Sequence, residues 1–256
     1  MVLGKTPYLK RSVELNRYTM VKDRSQQSNL FILGGTTESR YAIMKKEIDE
    51  ILDKEQGIVY VVTDTEGFHT RWEMYKTNAN FHILTINKEL DLDNHEFQTL
   101  FYDNNRTTPI WLYIEDIDYY LTHKDGVELE KILSLGRRYY ITATICADRL
   151  VGSQEKVIGK CKDPVLTDME IILANCGFLI ILSRGGIRSK KLELMWENVA
   201  FFDSRLSRSC VKFINDKKYY PVAGVFIDIF NQLALPLNKK YCYKKFIIQD
   251  NLQSKK

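Results

Sequence analysis

The feature that most constrains this chain is the run from Asn29 to Leu52, where a short apolar stretch is broken by two glycines and followed by an amphipathic segment. Leu30 to Leu33 are all apolar and lead directly into Gly34-Gly35. Beyond the pair, Ile43, Met44, Ile48, Ile51 and Leu52 recur at helical spacing, with Lys45, Lys46 and Glu50 on the other side. The pattern predicts a strand, a tight turn and a helix, in that order.

A strand, turn and helix in this order also frame the nucleotide-binding P-loop, which requires Gly, four residues, Gly, Lys and then Ser or Thr. There, backbone N–H groups and the helix N-terminus hold phosphates, while the lysine and hydroxyl serve the terminal phosphate and magnesium. The same eight positions here read Gly34, Gly35, Thr36, Thr37, Glu38, Ser39, Arg40 and Tyr41. Ser39 stands where glycine lets the backbone close on a phosphate, and a side chain tolerates positive φ poorly. Arg40 keeps the charge as a planar fork, which does not substitute for a compact ammonium. Tyr41 carries its hydroxyl at the far end of a ring, out of reach of a metal that serine would touch. Glu38 brings negative charge; a carboxylate ~4 Å from a phosphate is repelled by on the order of 4 kcal/mol per unit charge pair at an effective dielectric of ~20. Magnesium-dependent hydrolysis is not expected of this set. On these residues alone two readings stay open, an altered phosphate cradle and an ordinary strand-to-helix turn.

Length and composition permit one large α/β domain or two small domains. The chain has 256 residues, 45% hydrophobic and 27% charged, which are the proportions of a globular protein without long disorder. The formal charge is +4. Basic residues gather late, at Arg188, Lys190 and Lys191, at Lys217 and Lys218, and between Lys239 and Lys245. Such clusters permit a nucleic-acid or acidic-membrane contact without implying one, since lysine runs are usually a solvated face. No apolar h-region follows the start, and the longest apolar run, Ile171 to Leu182, is interrupted by Asn175 and short of the ~18 residues a membrane span needs. A cytoplasmic protein without a transmembrane segment is expected. Cys146, Cys161, Cys176, Cys210 and Cys242 are widely spaced, which argues against disulfides and a zinc site and for core thiols. His69, His82, His95 and His123 lack metal-ligand spacing and read as surface or loop residues.

Taken in order, Met1 to Ser28 reads as a polar lead-in with short extended pieces such as Thr19 to Val21, and 29–256 reads as a single domain. Strands are predicted at Ile58 to Thr63, Phe81 to Ile86, Pro109 to Ile114, Tyr139 to Cys146 and Phe178 to Leu182. Helical segments fall at Glu96 to Phe101, Val127 to Leu135, Val165 to Ala174 and Ser189 to Ala200. Alternation of the two indicates parallel βαβ units. Val222 to Ile229 and Leu233 to Leu237, around Asn231-Gln232, form an antiparallel hairpin before a last Lys- and Tyr-rich strand.

Two acidic sites follow predicted strands. Asp64-Thr65-Glu66-Gly67 ends the second strand, at the edge where open α/β sheets place ligands. Glu115-Asp116 ends the run Trp111-Leu112-Tyr113-Ile114. In a P-loop ATPase the corresponding pair is an Asp that orders magnesium and a Glu that activates water; here the two acids are exchanged. Acids after a buried strand also cap helices, so both roles remain open for Glu115 and Asp116.

Together these segments resemble the C-terminal motor domain of the conjugative-transfer ATPases of type IV secretion, the TraE/PrgJ and VirB-four-like branch of the FtsK/HerA P-loop group. The resemblance is carried by Phe31-Ile32-Leu33-Gly34 with Lys45-Lys46-Glu47-Ile48, and by Asp64-Thr65-Glu66 and Pro109 to Asp116. It continues in Gly136-Arg137-Arg138-Tyr139, in Leu173 to Leu179, and in Gly224 to Ile227 with Leu235-Pro236. It spans roughly Leu15 to Pro236 and includes no counterpart of the family's large N-terminal domain. It implies a RecA-like P-loop domain with a mostly parallel sheet, ATP and magnesium as the family's ligands, and partners among type IV secretion proteins. The family's glutamine after the fourth strand corresponds to Ala147, and an acid after the second strand to Phe68. With Ser39, Arg40 and Tyr41 also changed, positions that touch nucleotide differ while positions that pack are kept.

The reading that follows is a pseudo-ATPase subunit of a conjugative apparatus, acting through protein contacts beside an active homologue or with copies of itself in a ring. The alternatives are an unorthodox ATPase using Arg40 with Glu115 or Asp116, and a DNA-binding module. Gly34 to Tyr41 are accordingly the vestigial nucleotide positions, and no cofactor or metal is assigned.

Overall fold

The structure is a computed structural model and describes residues 2–5, 12–24, 28–63, 70–85, 103, 105–117, 120, 126–147, 172, 174–182, 222–228 and 233–238. The expected helices at Glu96 to Phe101 and Ser189 to Ala200, most of Val165 to Ala174, the last strand and the late basic clusters lie outside these residues. So do Asp64 to Phe68, Cys161, Cys210, Cys242, His69, His95 and His123.

A small antiparallel pair, β1 (Val2–Lys5) and β2 (Ser12–Glu14), precedes helix α1 (Arg17–Asp23). Strand β3 (Leu30–Gly34) then enters the main sheet and is followed by α2 (Thr37–Asp53) and β4 (Ile58–Thr63). After a short 3-10 turn at Glu73–Tyr75 come β5 (Phe81–Thr85), β6 (Ile110–Ile114), α3 (Gly126–Leu135) and a second 3-10 turn at Gly136–Tyr139. Strands β7 (Ile141–Ala147), β8 (Phe178–Leu182), β9 (Val222–Asp228) and β10 (Leu233–Asn238) complete the described elements.

Eight strands form one sheet in the order β10-β9-β8-β3-β7-β6-β4-β5. The six from β8 to β5 are parallel, and β9 and β10 add antiparallel at one end. Every residue of β3, β6, β7 and β8 is buried, which explains why β3, β6 and β8 read as largely unbroken apolar runs; in β7 the buried Thr142 and Thr144 interrupt the run and bond to Arg17. Alternate side chains feed two cores. Phe31, Leu33, Leu112 and Ile145 pack with Leu129, Ile132 and Leu133 of α3, whereas Leu30, Ile32, Trp111 and Ile180 pack with Met44, Ile48 and Ile51 of α2. Each such buried side chain contributes about 1.5–3 kcal/mol of transfer free energy, so helices on both faces are required to hold this sheet. The β9–β10 hairpin pairs Asp228 with Leu233, as the turn residues between them predict.

Two local expectations are corrected. Thr19 to Val21 is helical and not extended. The Asn16 side chain accepts the Thr19 N–H at 3.4 Å, Arg24 closes the helix in the left-handed region at φ 53°, and Val21 turns into the core. Burial and caps thus override the β preference of Thr and Val. Strand β7 begins at Ile141 and not Tyr139, because Gly136–Tyr139 coil into a 3-10 turn that Tyr140 ends at φ 59°.

Candidate functional site

Parallel register brings the sequence's chemical residues to one edge. Ile32 and Leu33 of β3 lie beside Cys146 and Ala147 of β7, and Ile145 lies beside Ile114 of β6, whose neighbour on β4 is Val62. The residues at or just beyond the ends of these strands, Gly34-Gly35, Ala147 and Glu115-Asp116, therefore share the C-terminal edge of the sheet, with β7 between the glycine turn and the acids. Burial raises the Cys146 thiol pKa, Arg40 opposes that shift, and Glu115 and Asp116 reinforce it, so these charges act on one buried atom below the turn.

The turn itself is short. In a P-loop the residues between the two glycines form a loop that wraps phosphate before the helix takes over, but here only Gly35 and Thr36 separate the last residue of β3 from the first of α2. Gly34 and Gly35 adopt φ 76° and 67°. A Cβ on Gly35 would come within 2.5 Å of Ser39 Oγ and 2.8 Å of Leu182 Cβ, so both conformation and space require glycine there. Thr37, Glu38, Ser39, Arg40 and Tyr41 are helical, and Ser39, the third residue of α2, does not adopt the positive φ that a glycine at its motif position would permit.

Each changed residue is engaged within the chain. Thr36 caps α2, its Oγ1 accepting from Ser39 N–H at 3.2 Å, while Thr36 N–H donates to Ser39 Oγ at 2.9 Å. The two form a reciprocal capping box that satisfies donors a bound anion would otherwise meet. Ser39 Oγ also donates to the Thr36 carbonyl at 2.7 Å. Arg40 is buried, 4% exposed, and folds back so that Nη1 donates to the Gly34 carbonyl at 2.9 Å. The Glu38 carboxyl is held below the usual carboxylate range by its own backbone N–H and the Thr36 hydroxyl, with Arg71 and Arg40 adding to the effect. Its carboxylate therefore sits where the partial positive charge of a helix N-terminus favours an anion.

Beside the turn stands a group that sequence reading missed. The Tyr41 hydroxyl donates to the Arg71 carbonyl at 2.9 Å, and its ring lies 4.7 Å from that of Trp72. Trp72 is fully buried and donates Nε1–H to Glu115 Oε1 at 3.0 Å. Arg71 approaches Glu38 at 3.8 Å. Trp72 sits in a polar stretch with no periodic signal; the acid it meets was legible, and the partner was not.

Behind the sheet edge, Arg17 is the second residue that sequence reading passed over. Its Nε donates to the Ser28 carbonyl at 2.5 Å and its Nη1 to both Glu47 oxygens at 3.0 and 2.8 Å and to Thr144 Oγ1 at 2.6 Å. Its Nη2 donates to Thr142 Oγ1 at 2.9 Å and the Ala143 carbonyl at 2.6 Å. Tyr113 donates its hydroxyl to Glu47 at 3.0 Å; burial, and then the Glu47 charge, push its pKa well up. All five guanidinium donors are used, which is what a buried arginine requires. Among the described residues no group of three or more His, Cys, Asp or Glu could hold a metal, and no helix is long and apolar enough to cross a membrane.

No protein family and no curated sequence matches the chain. Solved structures do. The genome packaging NTPase B204 of Sulfolobus turreted icosahedral virus 2, solved with AMP, superposes with a TM-score of 0.56 at 10% identity, over 82% of this chain and 96% of that one. ATPases 2 and 3 of EssC from Geobacillus thermodenitrificans give 0.57 at 13% identity, over 93% of this chain and 40% of that one. The cytoplasmic domain of the Type VII secretion ATPase EccC from Thermomonospora curvata gives 0.59 at 11% identity, over 93% and 28%. The chain shares the fold of these ATPases and spans less than half the length of the EssC and EccC chains.

Proposed function

We propose that this chain is a catalytically degenerate subunit of a translocation machine, a P-loop ATPase fold that works through protein contacts and not through turnover. The observation that carries this reading is the short turn: two residues stand where a phosphate-wrapping loop would be, and the N–H groups of Thr36 and Ser39 are satisfied by each other's side chains. Glu38 supports it by supplying an anion at the helix N-terminus, and Trp72 by engaging Glu115. Gly34 to Tyr41 are then the vestige of a nucleotide cradle, and Glu115 and Asp116 the vestige of its acidic pair. ATP with magnesium is the ligand such a cradle would have held. The residues present do not fit it.

The sequence resemblance supports a place in a conjugative or type IV secretion apparatus, beside an active homologue or in a ring of like subunits. In this reading 29–256 is one domain, to whose core Arg17 of the lead-in is bonded, and the chain meets the inner face of the cell membrane through its partners. Phosphate release at saturating magnesium-ATP tests the proposal. No rate above buffer is expected; steady turnover that Arg40→Ala abolishes would overturn it in favour of an unorthodox ATPase.

A further inference from the structure

The end of the sheet opposite the glycine turn carries a rigid, exposed, basic knob. Gly136–Tyr139 form a 3-10 turn whose closing residue, Tyr140, donates its N–H to the Gly136 carbonyl and adopts φ 59°. A Cβ on Gly136 would come within 3.1 Å of Ile141 Cβ, so the turn is pressed onto the strand it precedes. The Tyr140 carbonyl accepts the Ile110 N–H at 2.8 Å, which pins the turn to β6 as well. Arg24, at the end of α1, lies with its guanidinium carbon 3.8 Å above the Tyr140 ring.

On this fixed base Arg137 and Arg138 are exposed, and neither makes an ion pair among the described residues. Before them, across Gly136, stands Leu135, which with Met74 makes up the exposed large hydrophobics of the described residues. Paired arginines present planar forks that match carboxylates bidentately. Arginine and tyrosine are the types that dominate binding energy at protein interfaces, and an ordered turn loses little entropy on binding. The adjacent leucine has no use for a phosphate backbone but suits an apolar side chain set among acids.

We infer that Leu135, Arg137, Arg138 and the Arg24–Tyr140 pair form a docking surface for an acidic protein segment carrying an apolar side chain. The inference rests on the reading of this chain as a subunit that acts through protein contacts, and it supplies one such contact. Its test involves no ATP and no turnover, so its failure and the failure of that reading are distinguishable.

The experiment titrates the full chain into a fluorescent peptide of alternating aspartate and leucine, and separately into a labelled oligothymidylate of equal length. The wild type is expected to bind the peptide saturably, Arg137→Glu with Arg138→Glu to weaken it by roughly tenfold or more, and Leu135→Ser to weaken it less. If the charge-reversed chain melts below the wild type, Arg137→Gln with Arg138→Gln carries the same comparison. Equal peptide affinity in wild type and arginine variants overturns the inference. So does a wild type that ignores the peptide and binds the oligonucleotide with an affinity falling steeply with salt, which identifies a nucleic-acid face instead.

Discussion

Trp72 reaches Glu115 across 3.0 Å, its indole N–H bonded to Oε1, and so joins the segment before β5 to the end of β6. One carboxylate oxygen of the first acid after β6 is thereby committed to a structural bond. Trp72→Phe keeps most of the ring contacts with Tyr41, Tyr75 and Phe81 while removing the donor. It should cost about 1–3 kcal/mol, because it deprives a half-buried carboxylate of a partner. Urea denaturation of Trp72→Phe against Trp72→Phe/Glu115→Gln checks this, the double variant recovering part of the loss.

The Arg17–Glu47 pair predicts a larger effect. Its side chains are 1% and 6% exposed, so Arg17→Met leaves a buried carboxylate without its cation and should cost about 3–5 kcal/mol. Arg17→Met combined with Glu47→Leu should be markedly less destabilising than the sum of the single changes. A double-mutant cycle by chemical denaturation measures the difference.

At the turn, Gly35→Ala should destabilise by roughly 1–3 kcal/mol, since it places a Cβ at φ 67° against Ser39 and Leu182. Thermal melting gives the value, and Thr36→Ala offers a comparison that removes the cap alone, expected at about 1 kcal/mol.

Glu38 predicts a pH effect whose sign follows from its depressed carboxyl pKa. The charged form is favoured on folding, so its contribution is complete above the unfolded value of ~4.3 and is lost as pH falls through the lower folded value. Exposure keeps the effect small. Glu38→Gln should therefore flatten the acid limb of the stability profile below ~pH 4.3, as read from urea midpoints.

Much of the sheet was legible because strands buried on both faces are continuous apolar runs: Leu30 to Leu33, Ile58 to Thr63 and Phe178 to Leu182 appear in the structure where the sequence pattern predicts them. The acids at the end of β6 were legible for the same reason, since a strand that stops at Glu115-Asp116 marks its own edge. The helical start at Thr37 was not. Eight residues spaced like a P-loop do not reveal how many of them the helix takes, and that is decided by the Thr36–Ser39 capping box. Arg17 and Trp72 stayed hidden because each depends on a partner 30 or more residues away, Glu47 in one case and Glu115 in the other. An isolated arginine or tryptophan in a polar stretch carries no periodic signal of what it will meet.

The central claim is that this edge of the sheet no longer receives nucleotide. Isothermal titration of the full chain with magnesium-ATP measures it directly. The account predicts no saturable heat, with the wild type and Arg40→Ala indistinguishable. Tight, stoichiometric binding by the wild type that Arg40→Ala removes would contradict it.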